Sequence, residues 1–182
     1  LYIEDKDSSI KAVGINIGSS ENITIFLPKN MSFEDIEYNM GAVSFKQDVP
    51  ISCKNLDIDL GAGSISIKDL KADKLGTNLG AGSMEISGAE VGKMDIELGM
   101  GSFNYTGSLA GDMNLECSMG SANIKLANDI KDYNFKCDVS AGTIKYGNEK
   151  ITNASVDKEV NNGSKSTIDI DCSMGTVVVD FK

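Results

Sequence analysis

From residue 31 to the C-terminus, apolar and polar residues alternate in short runs, and each run is interrupted by a small-residue signature. Leu56–Ile67 reads LDIDLGAGSISI, Leu75–Ile86 reads LGTNLGAGSMEI and Met94–Tyr105 reads MDIELGMGSFNY, at intervals of 19 residues. With the last glycine of each signature as origin, the series runs Gly63, Gly82, Gly101 and Gly120, then Gly142 and Gly175 after gaps of 22 and 33. Upstream, Asn39-Met40-Gly41 continues it in degraded form, 22 residues before Gly63. Seven copies at a period near twenty mark a stack of structural repeats.

Five residues before the origin stand Ile36, Ile58, Thr77, Ile96, Leu115, Cys137 and Ile170; three before it stand Tyr38, Leu60, Leu79, Leu98, Cys117, Val139 and Cys172. Mostly Asp, Glu and Asn lie between these columns, so the period is two and each copy carries a half-buried strand. Beyond the glycine the apolar parity flips, as in Ile65/Ile67, Phe103/Tyr105 and Val177/Val179. A flip means that the chain turns a corner. Small side chains and a positive φ suit such a corner, which the pattern assigns to Gly41, Gly63, Gly82, Gly101, Gly120, Gly142 and Gly175.

The polar remainder of a copy, such as Lys68–Lys74, closes the coil by a short third side, since nineteen residues are too few for a βαβ unit of ~30. The predicted fold is all-β: a single-stranded parallel β-solenoid (β-helix) of about seven coils of 19–22 residues, right-handed by the crossover rule. Its strands should stack ~4.8 Å apart. Residues 1–38 are expected to form N-terminal strands and a cap, residues 39–182 the repeats, and the polar stretch 148–165 a bulging loop.

Composition then removes whole classes of function. The net charge of −10 argues against nucleic acid and against docking on anionic lipid. Histidine, tryptophan and arginine are absent, so the commonest general base, the commonest zinc ligand and the carboxylate-binding fork are all missing. No run approaches the ~18 apolar residues of a membrane span, and no signal peptide is visible. The chain starts at Leu1 rather than Met, which reads as a processed or trimmed product; any membrane link would run through a segment outside it.

The candidate chemistry is sparse. Cys53, Cys117, Cys137 and Cys172 form no Cys-x-x-Cys pair. In sequential stacking Cys117 and Cys172 lie two coils apart, near 10 Å, so free, inward thiols acting as small apolar residues are expected. Met40, Met100, Met119 and Met174 precede the corner glycine and read as gap-fillers of a corner core. The column Ser64, Ser83, Ser102, Ser121, Thr143, Thr176 follows it; without a base nearby, it reads as a hydrogen-bonded ladder rather than a set of nucleophiles. No catalytic residue emerges, and a non-enzyme is expected.

The tandem strands punctuated by Gly-Ala-Gly-Ser and Ser-Met-Gly-Ser resemble the bacterial adhesin-named family of β-strand-repeat proteins, a domain of unknown function often attached to envelope-stress proteins. The resemblance covers residues 31–182. It implies a β-solenoid in a bacterial cell-envelope or extracellular setting, serving adhesion, surface display or stress sensing, with no catalytic residues to carry over. Two other readings stand beside it. One is a self-assembling scaffold whose exposed terminal strand, Val177–Phe181, stacks on another chain. The other is a polysaccharide-active β-helix enzyme.

The outer columns alone bear on a ligand. Asp57, Asp59, Asp95, Glu97 and Glu116 lead a face on which ten acids stand against one lysine. Stacked acids repel, so the face is either simply solvated, screened by salt, or neutralised by a cation such as Ca²⁺ or by a cationic peptide or protein partner.

Overall fold

In the computed structural model, which describes residues 10–12, 32–152 and 156–182, the alternation has become thirteen strands joined in one hydrogen-bonded sheet. They are β1 (Ile10–Ala12), β2 (Ser32–Gln47), β3 (Ile51–Lys68), β4 (Leu70–Leu98), β5 (Ser102–Leu109), β6 (Met113–Cys117), β7 (Ser121–Leu126), β8 (Tyr133–Val139), β9 (Thr143–Tyr146), β10 (Glu149–Thr152), β11 (Val156–Val160), β12 (Ser166–Cys172) and β13 (Thr176–Phe181). One short 3-10 turn, Ile130–Asp132 capped by the Asp129 carboxylate, is the sole helical element among the described residues. The protein is all-β.

The long pairs are parallel and keep the period of the sequence: β2 runs beside β3 and β3 beside β4, so that Leu56 faces Ile36 on one side and Leu75 on the other. Each turn of chain therefore lies on a neighbour, and the fold is solenoid-like. Parallel in-register stacking puts like on like. Leu60, Leu79, Leu98, Cys117, Val139 and Cys172 are all buried, as are Ile65, Met84, Phe103, Ala122, Ile144 and Val177 beyond the corner. Each large aliphatic side chain in these columns contributes about 1.5–3 kcal/mol on leaving water. Thr77 is the polar member of the inward set; it is buried with its hydroxyl unpartnered.

The first turn corrects the register. Met40 faces Leu60 and Val43 faces Gly63, so Gly41 lies against Gly61, two residues from its assigned place. A slip of two preserves side-chain parity, and the buried pattern tolerates it.

The spatial order of turns also departs from the order in sequence. β12 pairs with both β6 and β8, and β13 with both β7 and β9, all in parallel. The last turn of the chain is thus inserted between the turn 113–126 and the turn 133–146. Of Val177–Phe181, expected as an open edge, Val177–Val179 is paired on both sides and Asp180 and Phe181 on one. The stretch 148–165, expected as a loop, holds β10 and β11, which run antiparallel to β9 and β8 and cover the end. Of the expected cap at 1–38, β1 lies parallel to β2, with Ile10 facing Ile36; residues 1–9 and 13–31 fall outside the described residues.

Contacts remote in sequence hold the inserted turn. Phe181 of the inserted turn meets Phe135 edge-on at 5.8 Å and lies 6.0 Å from the Tyr133 ring. Asn134 fastens the returning segment: its amide nitrogen donates to Ser164 O (2.8 Å) and its Oδ1 accepts from Asn162 N (2.9 Å). A chain ending at Lys165 should therefore lose more than one end turn, because the turns on either side of the gap lose their shared partner. Its thermal melt should be broad and strongly lowered; an unchanged, cooperative melt would contradict the inserted order.

Candidate functional site

The corner is built by backbone proximity. A β-carbon on Gly82, Gly101, Gly120, Gly175 or Gly142 would lie 2.5–2.7 Å from the carbonyl oxygen of Gly63, Gly82, Gly101, Gly120 or Gly175, respectively. No real side chain fits at such distances. The expected positive φ is found only at Gly63 (φ 115°), so at the other corner glycines close approach, not a left-handed backbone, is what requires glycine. Gly41 has nothing within 4 Å of a β-carbon position and is not part of this ladder.

Upstream of the corner stand the acids. Asp57, Asp59, Asp95, Glu97 and Glu116 are all exposed, and the strands bring them into rows. In the row four residues before the corner, Glu97 faces Glu116, Glu116 faces Asp171, and Asp171 faces Asp138. Insertion of the last turn sets the order of this run, placing Asp171 between Glu116 and Asp138. In the row six before the corner the acids are interrupted: Asp95 and Asp169 flank Asn114, and Asp169 faces Lys136. Asp57 faces Glu37 on one side and Gly76 on the other. With the corrected register Asn39 joins the first row and Glu37 the second.

A chelating site needs several oxygens converging on one point. Among the described residues no three or more acidic, cysteine or histidine side chains are arranged to hold a metal ion. The rows present their carboxylates side by side instead. A shallow depression of about 410 Å³ opens beside them, but its acids alternate with Lys74, Lys93 and Lys136, and Lys93 pairs with Asp112 at 3.4 Å.

Of the four methionines read as gap-fillers, Met40 is partly buried against the core, but the three at the corner lie outside. Met100, Met119 and Met174 are 64%, 53% and 62% exposed, and Val49 is the one other large hydrophobic so exposed among the described residues. The amide of Met119 donates to Gly99 O and that of Met174 to Ser118 O, which sets the three side by side on consecutive turns. Pattern reading missed them because the corner interrupts the alternation that assigns inside and outside. The hydroxyl column stacks as expected, but the one link found among the described residues joins Ser44 to Ser64 at 3.0 Å.

All four cysteines are buried free thiols. Cys117 and Cys172 are not two turns apart; they face each other in register. The adjoining Cys172 thiol pushes Cys117 up, with burial adding to it. Burial pushes Cys53 up to about 11, with Asp73, Asp35 and Asp57 adding to it. Burial likewise raises Cys137 to about 12, Asp169 adding and Lys158 opposing.

The family model described as Toastrack DUF4097 matches residues 1–171. No curated protein and no solved structure matches the chain significantly. The match bears out an all-β family of unknown function; its description carries no mention of adhesion.

Two outcomes follow from the corner and the thiols. Gly120→Ala should cost about 1–3 kcal/mol or more, since its β-carbon would meet Gly101 O at 2.5 Å and the Leu98 side chain at 2.8 Å, whereas Gly41→Ala should be neutral to about 1 kcal/mol stabilising. Urea melts of the two variants make the comparison. Thiols raised in the folded state stabilise it fully below their unfolded value of 9.0, and that contribution is lost as pH rises towards 11–12. The melting temperature should therefore fall steadily above pH 9, and less steeply in Cys137→Val.

Proposed function

The chain belongs to the Toastrack DUF4097 family, and from that premise we propose that it is a parallel β-solenoid of about seven coils, right-handed, working as a non-catalytic recognition module of the bacterial cell envelope. The observation that carries this reading is the in-register run Glu97, Glu116, Asp171, Asp138 on the outside of a sheet whose strands are hydrogen-bonded on both sides. A row of like charges at fixed spacing on a stiff support suits adhesion, display or sensing through a repetitive or extended partner. Right-handedness follows from the twist that governs parallel crossovers.

The polysaccharide-enzyme reading has less support. The chain has no histidine, tryptophan or arginine, and the acids of the depression beside the acid rows are interleaved with lysines. Self-assembly through Val177–Phe181 has less support, because one edge of that segment is paired throughout and the other from Val177 to Val179. Free thiols sit awkwardly in an oxidising envelope in general, but oxidation proceeds through the thiolate. Burial pushes Cys53 and Cys137 up, which makes their thiolates scarcer still at neutral pH.

Fractionation of source cells with an antibody to the protein tests the compartment, and a panel of bacterial polysaccharides assayed for new reducing ends tests the chemistry. Recovery with the envelope and no release of ends are expected. Recovery in the cytosol alone overturns the compartment, and released ends overturn the non-catalytic reading.

A further inference from the structure

We propose that the methionine ridge and the acid row beside it form one docking surface for a cationic amphipathic helix, which gives the recognition reading above a partner of stated chemistry. Met100, Met119 and Met174 are three of the four exposed large hydrophobics among the described residues, and they stand together. Scattered apolar side chains on a surface need no explanation, but a contiguous group does. Methionine is the side chain best able to mould itself to varied apolar partners, being unbranched, flexible and polarisable.

Each ridge methionine has an exposed acid three residues upstream on its own turn: Glu97 for Met100, Glu116 for Met119 and Asp171 for Met174. Three residues of chain span at most ~10 Å, and the path bends after Leu98, Cys117 and Cys172, so the acid row runs beside the ridge within about the width of a helix. No ion pair among the described residues engages Glu97, Glu116, Asp138 or Asp171.

Spacing along the ridge selects the partner's conformation. Consecutive turns stand ~4.8 Å apart, close to the 5.4 Å pitch of an α-helix, whereas alternate side chains of an extended strand are ~6.6 Å apart. A helix lying along the ridge presents apolar residues at i, i+3 or i+4, and i+7 to successive methionines and turns lysines towards the acids. Charge rejects the other occupants. A second copy would bring acid row against acid row, and an anionic membrane would be repelled.

The probe is a fluorescein-labelled helical peptide of leucine and lysine, 18 residues long, with the leucines on one face, followed by anisotropy in the intact protein. Polylysine of equal charge serves as a peptide without an apolar face. M100S/M119S/M174S and E97Q/E116Q/D171N should each weaken binding of the leucine-lysine peptide at least about tenfold, while V49S leaves it unchanged. Only the acid variant should weaken polylysine. Circular dichroism melts check that the variants, all at exposed positions, remain folded. Failure of the leucine-lysine peptide to bind overturns the proposal, as does equal binding by the methionine variant. Neither result touches the fractionation and polysaccharide outcomes, which test the underlying reading separately.

Discussion

Adjacent turns of this chain approach so closely at one corner that a β-carbon has no room there. The straight strands need a spacing of ~4.8 Å to hydrogen-bond, and that spacing must hold all the way round a turn. Where the backbone bends, the glycines point at the backbone below them; Gly120 and Gly175 sit within this constraint, with Gly120 O beneath Gly175. Once the corner is fixed, every other position of a turn falls over its equivalent. Sequence repetition thereby becomes surface repetition. Leucine over leucine gains stability, acid over acid loses it, and both follow from the same geometry.

Local alternation was legible because it reports only which side of a strand is wet. It placed Leu60, Leu79, Leu98 and Cys117 inside correctly, and they are buried. It could not place Gly41, because a shift of two residues leaves the parity of Ile36 and Tyr38 unchanged. It could not order the turns either, since all of them present equivalent hydrogen-bonding edges. The order is chosen by contacts remote in sequence, such as Phe181 on Phe135 and Asn134 on Ser164. One clue was present: Cys117–Gly120 and Cys172–Gly175 are the same four residues, Cys-Ser-Met-Gly, and these two turns are neighbours.

The inserted turn reshapes the candidate surface more than any single side chain does. Stacked in sequential order, the turn 113–126 would be followed by Ala141 and Asp138, and the methionine pair would end there. With the last turn between them, Met174 extends the ridge and Asp171 joins Glu116 to Asp138. The second acid row is interrupted at Asn114 and Lys136 whatever the order of turns, so the unbroken negative charge lies in the row nearer the ridge. Apolar and acidic character are thus brought together in space by residues 55 positions apart in the chain.

Insertion also decides what the end of the stack offers to another chain. A terminal parallel strand such as Val177–Phe181 would expose a row of unpaired amides and carbonyls along an apolar segment, the usual template for edge-to-edge growth. Here that strand is interior, and the covering strands β10 and β11 are short, separate and charged, with Lys158 bonded to Glu149 at 2.8 Å across them. Short charged edges are how sheets discourage further pairing. With that end blunted, the long flanks are the extended surfaces left for recognition, and the flank that carries both an unpaired charge row and exposed apolar side chains is the one with the strongest physical reason to be covered.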